Sequence, residues 1–289
     1  MPSLKQIKNK ISSVKGTRRI MSAMKLIAAV KLQRAQGILS SYRPYSDGIK
    51  ETTLNITKSS DPANHELLKV PESRNNLHII FLTSDRGLCG SFNSSTIRNL
   101  EKYLSTNPDG FKNIKLSFIG RKGRDYFTKR DYRKGEYYTS VDEKNSTEVA
   151  EELAQRISDE FTTGESDEIV LVYNYFYSAI SQEVTYEKLL PFEAAEEVDV
   201  DYEYEPSRKN VLEFLLPKYL RVRIERSINE SLTSEHASRM TAMENATRNA
   251  DDVIEKLTLQ YNKTRQAIIT TELMDIVNGT EALKKGGAT

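Results

Sequence analysis

The run Ser84-Asp85-Arg86-Gly87-Leu88-Cys89-Gly90-Ser91-Phe92-Asn93 follows a short apolar segment and leads into a helical pattern. A glycine-bearing turn between strand and helix can aim backbone N–H groups and the helix dipole at a phosphate, so nucleotide chemistry would be sought here first. The spelling is neither the GxGxxG of dinucleotide sites nor the GxxxxGK of P-loops, and tight turn geometry is the simpler reading. Arg86 can serve as a partner of Asp85 or of another neighbour. Cys89 is the sole cysteine, which excludes a disulfide framework, a thiolate zinc site and a CxxC redox pair. A thiolate nucleophile would need a base and a lowered pKa, so Cys89 reads as a small buried side chain. His65, His78 and His236 are scattered without ligand spacing. The carboxylate pairs Asp251-Asp252 and Glu151-Glu152 are adjacent on helical patterns and cannot face each other as a catalytic couple. The sequence therefore predicts no catalytic residue, no cofactor site and no metal site.

Residues 121–134 (RKGRDYFTKRDYRK) carry seven bases interleaved with Tyr126, Phe127 and Tyr132, a composition that could grip nucleic acid. Two acids lie inside the run. The whole chain holds 42 Lys+Arg against 41 Asp+Glu, which argues against bulk attraction to nucleic acid or anionic membrane. Its start has no apolar signal core, and no stretch approaches the roughly 18 apolar residues of a membrane span. Apolar content of 38%, with 29% charged residues and no Trp, is lean for a compact globule and points to extended helices.

The elements that hold these residues are legible from periodicity and charge. Residues 1–46 contain ten basic residues and no acid. Leu4, Ile7, Ile11, Val14, Met21, Ala28, Leu32, Ala35, Leu39 and Tyr42 recur at steps of three and four, with Arg18 and Lys25 in register, which predicts a heptad seam over residues 3–43. At the other end, 61 residues between Pro217 and Gly279 contain neither Gly nor Pro. Such a run predicts one long coiled-coil helix, with Pro217 in its first turn and Gly279 at its end. Its seam is Val253, Leu257, Tyr261, Thr264 and Ile268. Ser231, Ser234, Ala237, Ser238, Ala242 and Ala246 are small enough for a partner helix to approach closely.

At 1.5 Å per residue the two helices span about 60 and about 90 Å, so an antiparallel pair leaves roughly 30 Å of the second bare, near residues 259–278. Nothing in the chain is left to cover Ile268, Ile269, Leu273, Ile276 and Val277, and another molecule must enclose them. Between the helices, 77–83, 114–120 and 168–174 read as strands alternating with helical patterns at 93–105, 121–130 and 146–161. That order predicts a parallel α/β sheet. Residues 178–190 read as a further, edge strand. Residues 193–205, with seven acids and no base, read as an acidic solvated loop or an edge strand. The chain thus divides into an N-terminal basic helix (1–56), an α/β Rossmann-like insert (57–207) and a long C-terminal helix (208–289), the fold class being an α/β insert on an antiparallel coiled coil.

Three stretches carry a family resemblance: KQIKNKISSVKGTRRIMSAMKLIAAVKLQRAQ (Lys5–Gln36), SDRGLCGSFN (Ser84–Asn93), and the close from His236 to Leu283. Within the last, Tyr261-Asn262-Lys263-Thr264-Arg265-Gln266 and Ile269-Thr270-Thr271-Glu272, with Asp275 and Gly279, are the most specific. The chain resembles the gamma subunit of the F-type ATP synthase. The resemblance implies a central rotor shaft without chemistry of its own, turned by ion flow through a membrane c-ring. Its bare tip would turn inside a ring of alternating alpha and beta subunits, with an epsilon subunit beside the α/β domain. It implies contact with acidic loops of beta through Met24, Lys25, Arg239, Arg265, Gln266, Thr270 and Glu272. Nucleic acid has no part in it, and the membrane is met through partner subunits alone. Without a presequence the chain resembles bacterial forms, peripheral on the cytoplasmic face of the inner membrane. Val30 stands where serine is common in the family, and with Cys89 alone the paired cysteines of chloroplast-type chains are missing. A coiled-coil adaptor with an α/β ligand-binding domain is the alternative reading, and a nucleotide-dependent enzyme using Ser84–Asn93 is a third.

Overall fold

A computed structural model describes residues 3–58, 65–71, 74–106, 110–192 and 203–286. The helices are α1 (Leu4–Lys58), α2 (Phe92–Thr106), α3 (Arg121–Phe127), α4 (Ser146–Thr162) and α5 (Arg208–Gly286). The strands are β1 (Asn76–Leu82), β2 (Asn113–Ile119), β3 (Arg133–Tyr138), β4 (Glu168–Phe176) and β5 (Gln182–Leu190). Two compact units divide the chain, one of Met1–Leu26 with Ala242–Thr289, the other of Ile27–Thr241.

The larger unit is built on a sheet of order β3-β2-β1-β4-β5. Four strands are parallel, as the alternation of strands and helices predicted, and β5 runs antiparallel beside β4, which makes the sheet mixed at that edge. β4 (EIVLVYNYF) is buried along almost its whole length because both faces of the sheet are covered. Alternation sorts β1 accordingly. Leu77, Ile79 and Phe81 pack with Leu100 and Leu104 of α2 and Phe127 of α3. Ile80 and Leu82 pack with Leu153 and Ile157 of α4 and with Leu212, Leu216, Leu220 and Ile224 of α5. The spacing of four along α5 places one stripe of that helix on the sheet.

Strand β3 (RKGEYY) escapes a hydrophobic scan because its residues are charged or half-exposed. It is the edge of the sheet, where charge discourages pairing with another chain. The expected strand at 178–190 is present as β5, shorter at its start. Of the acidic stretch 193–205, residues 193–202 lie outside the described residues.

Both terminal helices run past their expected limits. α1 continues through Pro44 to Lys58, and α5 begins at Arg208, so Pro217 is interior rather than in the first turn, while Gly279 does not end the helix. Pro44 and Pro217 are both exposed, so the carbonyls left without an N–H partner, Ser40 and Glu213, can be met by water. Fully buried Leu216 and Leu220 hold α5 to the sheet on either side of Pro217.

Gly120 joins β2 to α3 at φ +98, with the position of a Cβ only 1.9 Å from the Thr83 carbonyl oxygen. Gly120→Ala must move the β1 end or break this crossing, and is expected to cost about 3 kcal/mol. Chemical denaturation of the full chain would read this as a lowered midpoint with an unchanged slope.

Candidate functional site

The Ser84–Asn93 turn is closed on itself. The Ser84 N–H donates to Asn93 Oδ1 at 3.0 Å, Asn93 Nδ2 donates to Ser84 Oγ at 2.7 Å and to Cys89 Sγ at 3.1 Å, and Ser84 Oγ donates to the Arg86 carbonyl at 2.6 Å. Cys89 is buried, as its isolation in the sequence suggested. Asp85 does not pair with Arg86; it accepts from the Arg121 and Ser140 N–H groups at 2.9 and 2.7 Å. Doubly wound sheets hold ligands at the carboxyl ends of the strands where the order reverses, here β1 and β4. α5 lies against the end of β4 there, where Ser234 Oγ donates to the Asn174 carbonyl at 3.1 Å and Glu230 accepts the Phe176 N–H at 3.1 Å, and beside it a cavity of about 380 Å³ is left between Ser91, Ser95, Asn174, Gln182 and Ser238.

A second constellation was invisible in the sequence because its members lie far apart along the chain. Ser117 Oγ is 2.7 Å from His78 Nε2, and His78 Nδ1 is 3.1 Å from Glu160 Oε2. This is the nucleophile, base and carboxylate order of serine hydrolases. The three residues are 1%, 1% and 8% exposed. Ser117 Oγ also accepts the Glu136 N–H at 2.8 Å, and it packs so tightly on Gly135 that a Cβ there would lie 2.2 Å away. With no room beside Oγ for a carbonyl, the cluster is a buried polar clasp between β1, β2 and α4. Burial pushes the Glu160 carboxyl up, but the close approach of His78 and hydrogen bonds from Ser166 and Lys115 outweigh it and hold the group at about 2. Because the folded value lies below the unfolded one, the unfolded chain takes the proton first. The clasp's contribution is complete above about pH 5 and is lost as pH falls toward 2. Glu160→Gln is expected to cost about 3 kcal/mol at pH 7 and to flatten the acid limb of the stability curve, as urea titrations from pH 7 to pH 3 would read.

The basic aromatic stretch is not a stacking platform. Phe127 is in the core, and Arg130 pairs with Glu101 and lies over the Tyr126 ring at 4.2 Å. Arg124 covers Tyr137 at 4.1 Å, and Arg133 pairs with Glu165 at 2.5 Å. Among the described residues no group of His, Cys, Asp and Glu could hold a metal ion.

In the smaller unit, two ion pairs fix an antiparallel register: Arg18 with Asp251, and Lys25 with Glu244 at 3.3 Å. Both pairs sum to the same residue total, which sets Leu4 opposite Arg265. Every expected α1 seam position from Leu4 to Tyr42 is buried or half-buried in its own unit. On α5 the seam is Ile254, Leu257, Tyr261 and Thr264; Val253 is 41% exposed and lies outside it. From Arg265 to Thr280 every residue is exposed, including Ile268, Ile269, Leu273, Met274, Ile276 and Val277. The bare segment therefore starts where α1 runs out, a few residues later than helix lengths alone suggested. Thr270 and Thr271 hydroxyls donate to carbonyls one turn back at 2.9 Å, so the tip shows a partner chiefly hydrocarbon and charge.

The residues implicated by resemblance are spread along the helices. Met24 is half-buried, and Lys25 faces Glu244. Arg265, Gln266, Thr270 and Glu272 are exposed on the bare segment. Arg239, in the larger unit, is mostly buried and pairs with Glu235 one turn earlier at 2.6 Å.

A sequence model of the ATP synthase family matches residues 3–283. The ATP synthase gamma chain of Anaeromyxobacter sp. (strain Fw109-5) is 43% identical over 98% of this chain and 100% of its own length. That of Bdellovibrio bacteriovorus is 41% identical over the same shares. Among solved structures, a chain from the Tetrahymena thermophila mitochondrial ATP synthase central stalk and c-ring superposes with a TM-score of 0.62 at 26% identity, covering 78% of this chain and 99% of that one. A chain of the Euglena gracilis mitochondrial ATP synthase shares the fold, with a TM-score of 0.65 over 99% of this chain and 96% of that one, at 20% identity.

Proposed function

The chain belongs to the ATP synthase gamma-chain family and is the rotor shaft of such an enzyme; from that premise we propose how it works. The bare segment Arg265–Thr280 carries the reading, since six large apolar side chains stand in water there without any cover from α1. Enclosed by a ring of alternating alpha and beta subunits, this segment presents a different face to each beta subunit. A shaft shifts an equilibrium only through contacts that differ between states. Each beta subunit is thereby biased toward its own conformation and nucleotide affinity, and rotation exchanges these roles.

Met24, Lys25, Arg265, Gln266, Thr270 and Glu272 are our candidates for those contacts. Arg239 is a weaker one, being engaged by Glu235. The ten bases of residues 1–46 meet acidic loops of beta. No nucleotide chemistry takes place on this chain; catalysis belongs to the beta subunits. The closed Ser84–Asn93 turn and the inaccessible Ser117 support that assignment. The α/β body engages an epsilon subunit and the membrane c-ring, and the complex works at the cytoplasmic face of the inner membrane. No described helix is long and apolar enough to cross a membrane.

Intact-complex mass spectrometry of the assembly released from membranes tests the reading. One copy of this chain beside a hexameric ring of two larger nucleotide-binding subunits is the expected composition. A homo-oligomer with no such ring would refute it.

A further inference from the structure

In the larger unit, Leu32 and Leu39 of α1 pack with Ala237 of α5 and Phe176 of β4, and Ala28 and Ala35 of α1 are buried as well. Apolar contact is non-directional, and small residues make a smooth seam, so this packing holds the helices together while specifying their register weakly. What specifies it is polar. Glu230 has no exposed side-chain surface, and it takes both forks of Arg43, Nε at 2.9 Å and Nη2 at 2.8 Å, as well as the Phe176 N–H. Arg43 Nη2 also donates to the Phe176 carbonyl at 2.7 Å, and the guanidinium lies 5.2 Å from the Tyr175 ring centre. Arg226 stands 3.8 Å from Glu230 and pairs with Asp47 at 2.5 Å. A turn away, Glu225 accepts from Tyr42, Thr147 and Arg221, each at 2.7 Å.

One buried carboxylate thus ties α1, α5 and the end of β4 together. A slip of α1 along α5 by one turn, about 5.4 Å, would strip Glu230 of the two charged hydrogen bonds from Arg43 and leave the buried carboxylate with only the more distant Arg226 of its own helix. A buried ion pair adds little net stability but is costly to break, and fixing register is its best-attested use.

We propose that Glu230 and Arg43 form a register lock, through which turning of the α/β body enters both terminal helices together. Glu230 is a positioning residue. The proposal rests on the reading of this chain as a rotor. Without the lock, ATP hydrolysis continues while the helices slip, and fewer ions are moved per ATP.

The test is the ratio of ions pumped to ATP hydrolysed by the complete complex in vesicles. Glu230→Gln keeps shape and loses charge, Arg43→Lys keeps charge and loses the fork, and Leu39→Ala opens a hollow in the same seam. The lock predicts a ratio about threefold or more lower for Glu230→Gln, with hydrolysis within about twofold of the parent. It predicts a smaller fall for Arg43→Lys and an unchanged ratio for Leu39→Ala despite its lower melting temperature. Should Glu230→Gln fail to assemble, Arg43→Lys decides. An unchanged ratio in the charge variants overturns the lock, as does an equal fall in Leu39→Ala. A parent complex that hydrolyses ATP and pumps nothing would instead refute the rotor reading itself.

Discussion

Removing residues 258–289 is expected to lower ATP synthesis in energised vesicles more than tenfold, a loss equivalent to about 1.4 kcal/mol or more of differential contact, while the α/β body stays folded. The two effects separate because the two cores of the sheet draw on residues no later than Leu232. The deletion removes the lower end of the seam, Tyr261 and Thr264, and every residue of the bare segment. What it takes away is the surface proposed to treat equivalent neighbours unequally. Thermal unfolding followed in the sheet should shift little, and synthesis and ATP-driven pumping should both fall. Synthesis and assembly indistinguishable from those of the full chain would show that the tip is not the coupling element.

Stiffness is the second requirement, and Asp252→Pro isolates it. Asp252 is exposed, and its side chain makes no ion pair recorded among the described residues, so substitution acts on the backbone. Proline there removes the N–H bond to the Arg248 carbonyl and crowds that carbonyl, costing about 3 kcal/mol and kinking the helix by more than about 20°. Synthesis should fall more than tenfold, whereas Asp252→Ala, with higher helix propensity, should match the parent. The native prolines of these helices, Pro44 and Pro217, sit in the larger unit, where buried neighbours such as Leu216 and Leu220 hold α5 on the sheet. In the smaller unit there is one neighbouring helix and no sheet. A proline variant with full synthesis would mean that coupling tolerates a bent shaft.

Much of this was legible before any coordinates. The seam of α1 was readable residue by residue, because heptad burial depends on local spacing that the chain displays directly. The bare tip followed from unequal helix lengths and from Ile268 to Val277 having nothing to pack on. What stayed hidden was of two kinds. β3 was masked by its charges, since an edge strand is half-solvated and lacks the apolar run that marks β1 or β4. Arg43 with Glu230, His78 with Ser117 and His78 with Glu160 are pairings between residues 187, 39 and 82 positions apart, which no periodicity encodes. The prolines misled for a related reason. Their helix-breaking tendency is local, and the tertiary packing that overrides it in α1 and α5 is not.

Rotation is the central claim, and it can be watched. Ile180, 90% exposed in the turn between β4 and β5, can be replaced by cysteine, and its thiol will be the reactive one because Cys89 is 2% exposed. A bead fixed there, on a complex immobilised through its alpha and beta ring, should turn in one direction in discrete steps when ATP is supplied and stop when ATP is withdrawn. A bead that only fluctuates about a fixed angle while the same complex hydrolyses ATP would contradict the account.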